Sequence, residues 1–230
     1  MPVYRLHHAN LSFPPACKAD SGRKGLLAIG GDLRPERLLN AYRGGIFPWY
    51  NEGMPVHWCS PDPRLVLWLG DLRVSRSLAK LIRAGRYRIT MNRAFAEVIG
   101  HCAEMRWPLT WITGDMYAAY CRLHGLGYAH SVEVWDDFTL VGGLYGVGLG
   151  RMFFGESMFS LASNTSKLAL ERLVRQLREW EFEMIDCQEV TPHLISLGAR
   201  EMPRAEFLRH ITRLSRLPPP PCWDFDPTNP

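Results

Sequence analysis

Two apolar stretches of this chain carry polar residues in their middle. In "RMFFGESMFS", residues 151–160, Glu156 stands among Met152, Phe153, Phe154, Met158 and Phe159. In "MIDCQ", residues 184–188, Asp186 and Gln188 interrupt an apolar run. A carboxylate in such surroundings must find a partner or give up its charge, because leaving water unpaired costs several kcal/mol. On a strand, Asp186 and Gln188 share a face with Met184, while Ile185 and Cys187 share the other. The helical segment from about Ser166 to Trp180 separates the two stretches, with Leu170, Leu173, Val174 and Leu177 at helical spacing. A strand–helix–strand crossover returns the second strand beside the first. This predicts that Glu156 lies near Asp186 and Gln188. Three polar side chains converging on an apolar wall resemble a small-molecule site. They can also be a hydrogen-bonded core network that fixes strand register. Both readings stand at this point.

A second set of residues has the makeup of a polyanion site. "RVSRSLAKLIRAGRYR", residues 73–88, holds six positive charges and no acidic residue. On a helix, Arg73, Arg76, Lys80 and Arg83 form one stripe opposite Leu78, Leu81 and Ile82. Like charges at that spacing repel, and a phosphate backbone relieves the repulsion. Trp49 in "GIFPWY" and Trp111 in "LTWIT" lie in loops, where tryptophan either packs on a core or stacks an unpaired base. A solvated basic helix and satellite-core tryptophans are the plain alternatives.

The elements that must position these groups follow from pattern and composition. The chain has 230 residues, 47% of them hydrophobic, and a mild net charge of +4. No apolar run reaches the roughly 20 residues of a membrane helix, and "MPVYRLHHANLSFPP" has no signal-peptide segment, so a soluble cytoplasmic protein is expected. Six cysteines at 17, 59, 102, 121, 187 and 222 form no CxxC, and no Cys/His spacing points to a metal. Residues 1–63 are rich in Gly, Pro and aromatics and read as a small N-terminal domain made of turns around one helix, from Pro35 to about Gly44. Residues 64–217 read as a mixed sheet flanked by helices, an α/β (α+β) domain. Within it, Thr113 is the expected cap of the helix "GDMYAAYCRLHGLG", and "TLVGGLYGVGLGRMFFGESMF" supplies one or two strands. Residues 218–230, beginning "PPPPCWDFDP", read as an extended or disordered Pro-rich tail.

In order and spacing, "GLLAIGGDLRPERLLNAYRGGIFPWY", "SPDPR", "TWIT", "HSVEVW", "LVGGLYGV", "GESMFS", "NTSKLAL", "IDCQ" and "HLISLGA" make the chain resemble the leucyl/phenylalanyl-tRNA–protein transferases over roughly residues 25–200. The resemblance implies a GNAT-like C-terminal domain and no cofactor. It implies transfer of Leu or Phe, and also Met, from aminoacyl-tRNA to proteins that begin with Arg or Lys, creating an N-degron. It places Trp49 and Trp111 at the tRNA 3′-terminal adenosine, with Tyr42 and Tyr120 lining that site. Arg76, Lys80 and Arg83 fall in the tRNA-backbone cluster. Glu156, Asp186 and Gln188 fall in the catalytic site, with Asp186 and Gln188 as its pair. Leu144, Met158, Leu170, Leu173, Leu177 and Ile185 become the aminoacyl pocket, and the protein is expected to be a monomer. Cys59 departs from the pattern, which expects a second tryptophan before "SPDPR", and the tail has no clear counterpart. Neither is expected to touch the site.

Two other functions compete. An acyl-CoA acetyltransferase would need a glycine-rich phosphate cradle before the crossover helix, and "MFSLASNTSK" has no glycine there. A non-catalytic RNA-binding protein explains the basic stripe and the tryptophans but leaves the Glu/Asp/Gln convergence without a role.

Overall fold

The structure, a computed structural model, describes residues 3–22 and 24–225. The N-terminal part is built on a sheet, not only on turns. Strands β1 (Tyr4–Leu6), β2 (Leu26–Gly30), β3 (Phe47–Pro48) and β4 (His57–Cys59) are ordered β1-β2-β4-β3, with helix α1 (Pro35–Arg43) inserted after β2. These strands have two to five residues, too short for the period-two alternation that marks a strand in sequence. The fully buried Trp58 indole donates to the Gly30 carbonyl at 2.8 Å and packs edge-on against Phe13.

The second sheet has seven strands in the order β11-β5-β10-β9-β8-β7-β6. They are β5 (Arg64–Trp68), β6 (Arg88–Met91), β7 (Ala129–Asp136), β8 (Thr139–Leu149), β9 (Met152–Ser160), β10 (Met184–Gln188) and β11 (Arg200–Met202). All pairings are antiparallel except β10 with β9. That parallel pair is joined by α5 (Thr165–Glu179), as the crossover pattern requires. Helices α3 (Phe95–Glu104) and α4 (Gly114–Gly125) lie against β7, β8 and β9, and their apolar faces share one core with the small sheet. Helix α5 covers the other face together with α2 (Arg76–Ala84). The short α6 (Pro192–Ser196) and α7 (Arg204–Leu214) complete the chain order. The Thr113 hydroxyl caps α4 through Met116 N–H, as expected. No helix among the described residues is long and apolar enough to cross a membrane.

The tail is not loose over its described part. The Trp223 ring stacks on His130, with centroids 3.8 Å apart, and meets Trp180 and Phe182 edge-on. Asn92 Nδ2 donates to the Trp223 carbonyl at 2.8 Å, and Arg93 pairs with Asp224 at 2.7 Å. A Cβ at Gly148 would stand 2.4 Å from the Trp223 ring, so the strand must present glycine there. These contacts of the half-buried Trp223 ring hold the segment against the sheet. Residues 226–230 of the expected tail lie outside the described residues.

Candidate active site

The site exists because two neighbouring strands part. The parallel ladder joins Ile185 to Phe153 and Asp186 to Phe154 and then stops, although β9 runs on to Ser160. Each strand carries an irregularity at that point. On β9, Tyr145 pairs with Ser157 and Gly146 with Gly155, so Glu156 is the extra residue. On β10, Asp186 pairs with Val66 and Gln188 with Leu65, so Cys187 is the extra one. Bulges of this kind re-aim side chains and end pairing. Gly146 permits the first, since a Cβ there would lie 2.2 Å from the Phe154 carbonyl. Gln188 reaches its place with φ at 63°.

Between the parted strands lies a cavity of about 290 Å³. Leu144, Met158, Leu170, Leu173 and Ile185 line it, together with Leu67 and Phe153. Trp49 and Trp111, both half-buried, also line it, with the buried Phe47 and Pro48. Glu156 and Gln188 are its facing polar groups, and Gln188 Nε2 donates to Glu156 Oε1 at 2.6 Å. The carboxylate fixes which end of the amide faces it, so the Gln188 carbonyl oxygen is left as an acceptor.

Four expected residues stand elsewhere. Asp186 is fully buried, one layer behind the cavity wall. Its carboxylate takes two bonds from Arg64, at 2.8 and 2.7 Å, and one from the Gln188 backbone N–H at 2.9 Å. The Arg64 guanidinium lies between the Phe47 and Phe207 rings, 4.7 and 4.6 Å from their centroids. Asp186 therefore braces the backbone of Gln188. It does not share the cavity face with it, because the bulge breaks the period-two relation. Tyr42 and Tyr120 are likewise fully buried and absent from the wall. Their hydroxyls touch each other and donate to Glu156, Tyr42 to Oε1 at 2.7 Å and Tyr120 to Oε2 at 3.0 Å. They hold the carboxyl group and offer no stacking face to a base. Leu177 is one turn beyond Leu173 on α5, past the end of the cavity, and is fully buried in core.

The Glu156 cluster has a definite proton count. Three close oxygen pairs join Glu156, Tyr42 and Tyr120, and the two phenols supply only two protons. A third is available when the carboxyl is protonated. Burial pushes Glu156 up from 4.5 to about 7, while the bonds from Tyr42, Tyr120 and Gln188 oppose the rise. Burial and the nearby Glu156 raise both phenols well above their ordinary value.

Residues that sequence patterns did not select also line the cavity: Arg106, Tyr145, Glu189, Thr191, His193 and Leu194. The only local signal for Arg106 is a lone cation in "MRWPLTW", just before two tryptophans. Glu189 had no local signal beyond adjacency to Gln188. Burial raises Glu189 against the pull of Lys24. The basic stripe keeps to the surface: Arg73, Arg76, Lys80 and Arg83 are exposed, and no ion pair engages them among the described residues. Arg73 lies before the Ser75 cap, outside α2. Its backbone N–H donates to the Leu197 carbonyl at 2.8 Å, just after the helix that brings His193 and Leu194 to the cavity. The tail does reach the site's surroundings, since Trp223 tilts against Phe153, with centroids 6.0 Å apart.

An apolar cavity with a facing carboxyl–carboxamide pair has the makeup of a small-molecule site. Comparison with known proteins makes this specific. The family model for leucyl/phenylalanyl-tRNA protein transferase matches residues 66–212, and that for the N-terminal domain of the same proteins matches residues 31–62. The chain is 57% identical over 204 residues to the leucyl/phenylalanyl-tRNA–protein transferase of Nitrosospira multiformis, covering 88% of each. It is 59% identical over 204 residues to that of Stutzerimonas stutzeri, covering 88% of this chain and 90% of the relative. The chain belongs to the leucyl/phenylalanyl-tRNA–protein transferase family. Among solved structures, a GCN5-related N-acetyltransferase from Kribbella flavida aligns with 73% of this chain and 60% of its own, at 12% identity and a TM-score of 0.35. That likeness is one of outline and carries no argument about chemistry.

Proposed function

We propose that the cavity between β9 and β10 receives the Leu, Phe or Met side chain of an aminoacyl-tRNA, and that the ester is aminolysed there by the N-terminal amine of a protein beginning with Arg or Lys. The observation that carries this reading is the 2.6 Å contact between Gln188 Nε2 and Glu156 Oε1 at the polar end of an apolar cavity. Met158 on the wall is flexible enough to accept a branched, aromatic or thioether side chain. Trp49 and Trp111 stack the terminal adenosine, and Arg76, Lys80 and Arg83 follow the tRNA backbone.

The chemistry needs little base strength. An α-amino group titrates near 7.7–8.0, so a useful fraction is neutral at cytosolic pH. The Gln188 carbonyl oxygen accepts a hydrogen bond from that amine and aims its lone pair at the ester carbonyl carbon. The new C–N bond forms, the carbon–oxygen bond to the ribose breaks, and the ribose oxygen leaves with a proton. Asp186 acts only through Gln188, by fixing its backbone. Glu156 fixes the amide's orientation, and its titration near neutrality lets it hold or release a proton beside the reacting amine. Most of the acceleration comes from holding amine and ester together. Glu189, the second carboxylate on the wall, is the group that meets the cation of an Arg or Lys acceptor.

Incubation with labelled Leu-tRNA and matched proteins starting with Arg or Ala tests the reading. Label should enter only the Arg-starting protein. Absence of label with intact tRNA binding would favour an RNA-binding protein without catalysis.

A further inference from the structure

Among the described residues, Arg106 is a cation with no anion in reach. It lies half-buried on the cavity wall, in the loop between α3 and α4. Its guanidinium carbon sits 4.7 Å from the Trp111 ring centroid, and Nη1 donates to the Cys102 carbonyl at 3.2 Å. A longer contact of 3.5 Å reaches the Met158 carbonyl. No carboxylate pairs with it among the described residues, which leaves most of its five N–H donors free. The planar guanidinium fork suits a carboxylate or phosphate, which it binds bidentately. Stacking on Trp111 fixes the plane of the fork and occupies one face of that ring. A base can then use the other face. Met158 and Trp111 mark the two ends of the expected donor, the amino-acid side chain and the adenine, and Arg106 touches both.

We propose that Arg106 clamps the phosphodiester that joins the 3′-terminal adenosine of the donor tRNA to the preceding nucleotide. This rests on the reading of the cavity as the aminoacyl-adenosine site. Arg106 is a positioning residue: it fixes where the terminal nucleotide enters, and so where the ester lies relative to Gln188. The adjoining loop has the surface of a strand-end binder, since Trp107 and Leu109 are 78% and 85% exposed.

Two donors separate the clamp from a structural role: phenylalanyl-adenosine, which has no phosphate, and the phenylalanyl ester of the trinucleotide CCA. In R106Q, which keeps a planar group against Trp111, KM for the trinucleotide donor should rise about tenfold to a hundredfold. Kinetics with phenylalanyl-adenosine should stay within about twofold, and R106K should recover part of the loss. Wild-type protein gives an independent arm that needs no variant. The advantage of the trinucleotide donor over the nucleoside donor should shrink as salt rises, by roughly 0.7 of a log unit per log unit for each phosphate held. Equal losses with both donors, no loss with either, or a salt-independent advantage would overturn the clamp. Wild-type protein that binds tRNA but transfers from neither donor would overturn the reading of the cavity itself, and the clamp with it.

Discussion

Gln188 and Glu156 meet across a gap between two strands that are paired only a few residues earlier. The amide nitrogen of Gln188 lies 2.6 Å from Glu156 Oε1, and Gln188 attains this from a left-handed backbone at φ 63°. The bulges in β9 and β10 aim both side chains into one cavity. Substrate-sized space in the middle of a sheet is thus a consequence of register.

The protonation of Glu156 should be visible in stability. Its pKa is raised by folding, from 4.5 to about 7. Below 4.5 the group is protonated in both states and its contribution is fully present. Between 4.5 and 7 only the folded state holds the proton, so stability falls as pH rises, by at most about 1.4 kcal/mol per unit. Above 7 the loss is complete. Urea unfolding from pH 4.5 to 8 should show this slope in wild-type protein and a flatter one in E156Q. Parallel curves would mean that Glu156 is charged throughout.

The Arg64–Asp186 pair should behave as a buried ion pair whose members cannot be separated. Arg64→Leu leaves the Asp186 carboxylate unpaired in a dry interior, which costs about 3–5 kcal/mol. Asp186→Asn leaves the Arg64 guanidinium uncompensated in the same interior, so Tm should fall there too, and the weaker hold on the Gln188 N–H should slow transfer by the protein that stays folded. Thermal unfolding and transfer rates on the same preparations check both. An R64L protein as stable as wild type would contradict the pairing.

Reversal of the basic stripe should act on tRNA alone. The combined substitution R76E, K80E and R83E should raise KM for aminoacyl-tRNA and flatten its salt dependence, each lost phosphate contact removing about one unit of slope. Transfer from an aminoacyl-adenosine should be unchanged. Equal damage to both donors would show that α2 supports the site instead of the tRNA.

Trp223→Ala should free the tail. The half-buried ring covers His130 and Phe182 and braces Phe153, so its removal should cost roughly 1–3 kcal/mol and lower Tm. Faster proteolysis at the C-terminus should accompany this. An unchanged Tm would mean that the tail's contacts are marginal in solution.

Much of this was legible in sequence where the signal is local. The alternation in "HSVEVW", the leucine spacing in α5 and the Thr113 cap each state their own geometry. The crossover rule then brings Glu156 to Gln188 with no knowledge of side-chain packing. Features that depend on distant partners were not legible. Arg64 meets Asp186 across 122 positions, and nothing in "SPDPR" points to "IDCQ". Regular alternation puts Asp186 on the cavity face, since it cannot show a bulge. The resemblance puts Tyr42 and Tyr120 at the nucleotide site, and only the packing of α1 and α4 turns their hydroxyls to Glu156. The tail looked extended because its proline run hides a docking tryptophan. The small sheet leaves no mark in the sequence because its strands are too short to carry a period.

The central claim is that Gln188, held by Glu156 and braced by Asp186, orients the attacking amine and plays no part in holding tRNA. Single-turnover transfer from Leu-tRNA to an Arg-starting protein, with the tRNA Kd determined on the same Q188A preparation, tests it most directly. The predicted result is a rate about a hundredfold to a thousandfold below wild type, with Kd unchanged. A wild-type rate, or a loss explained wholly by weaker tRNA binding, would contradict it.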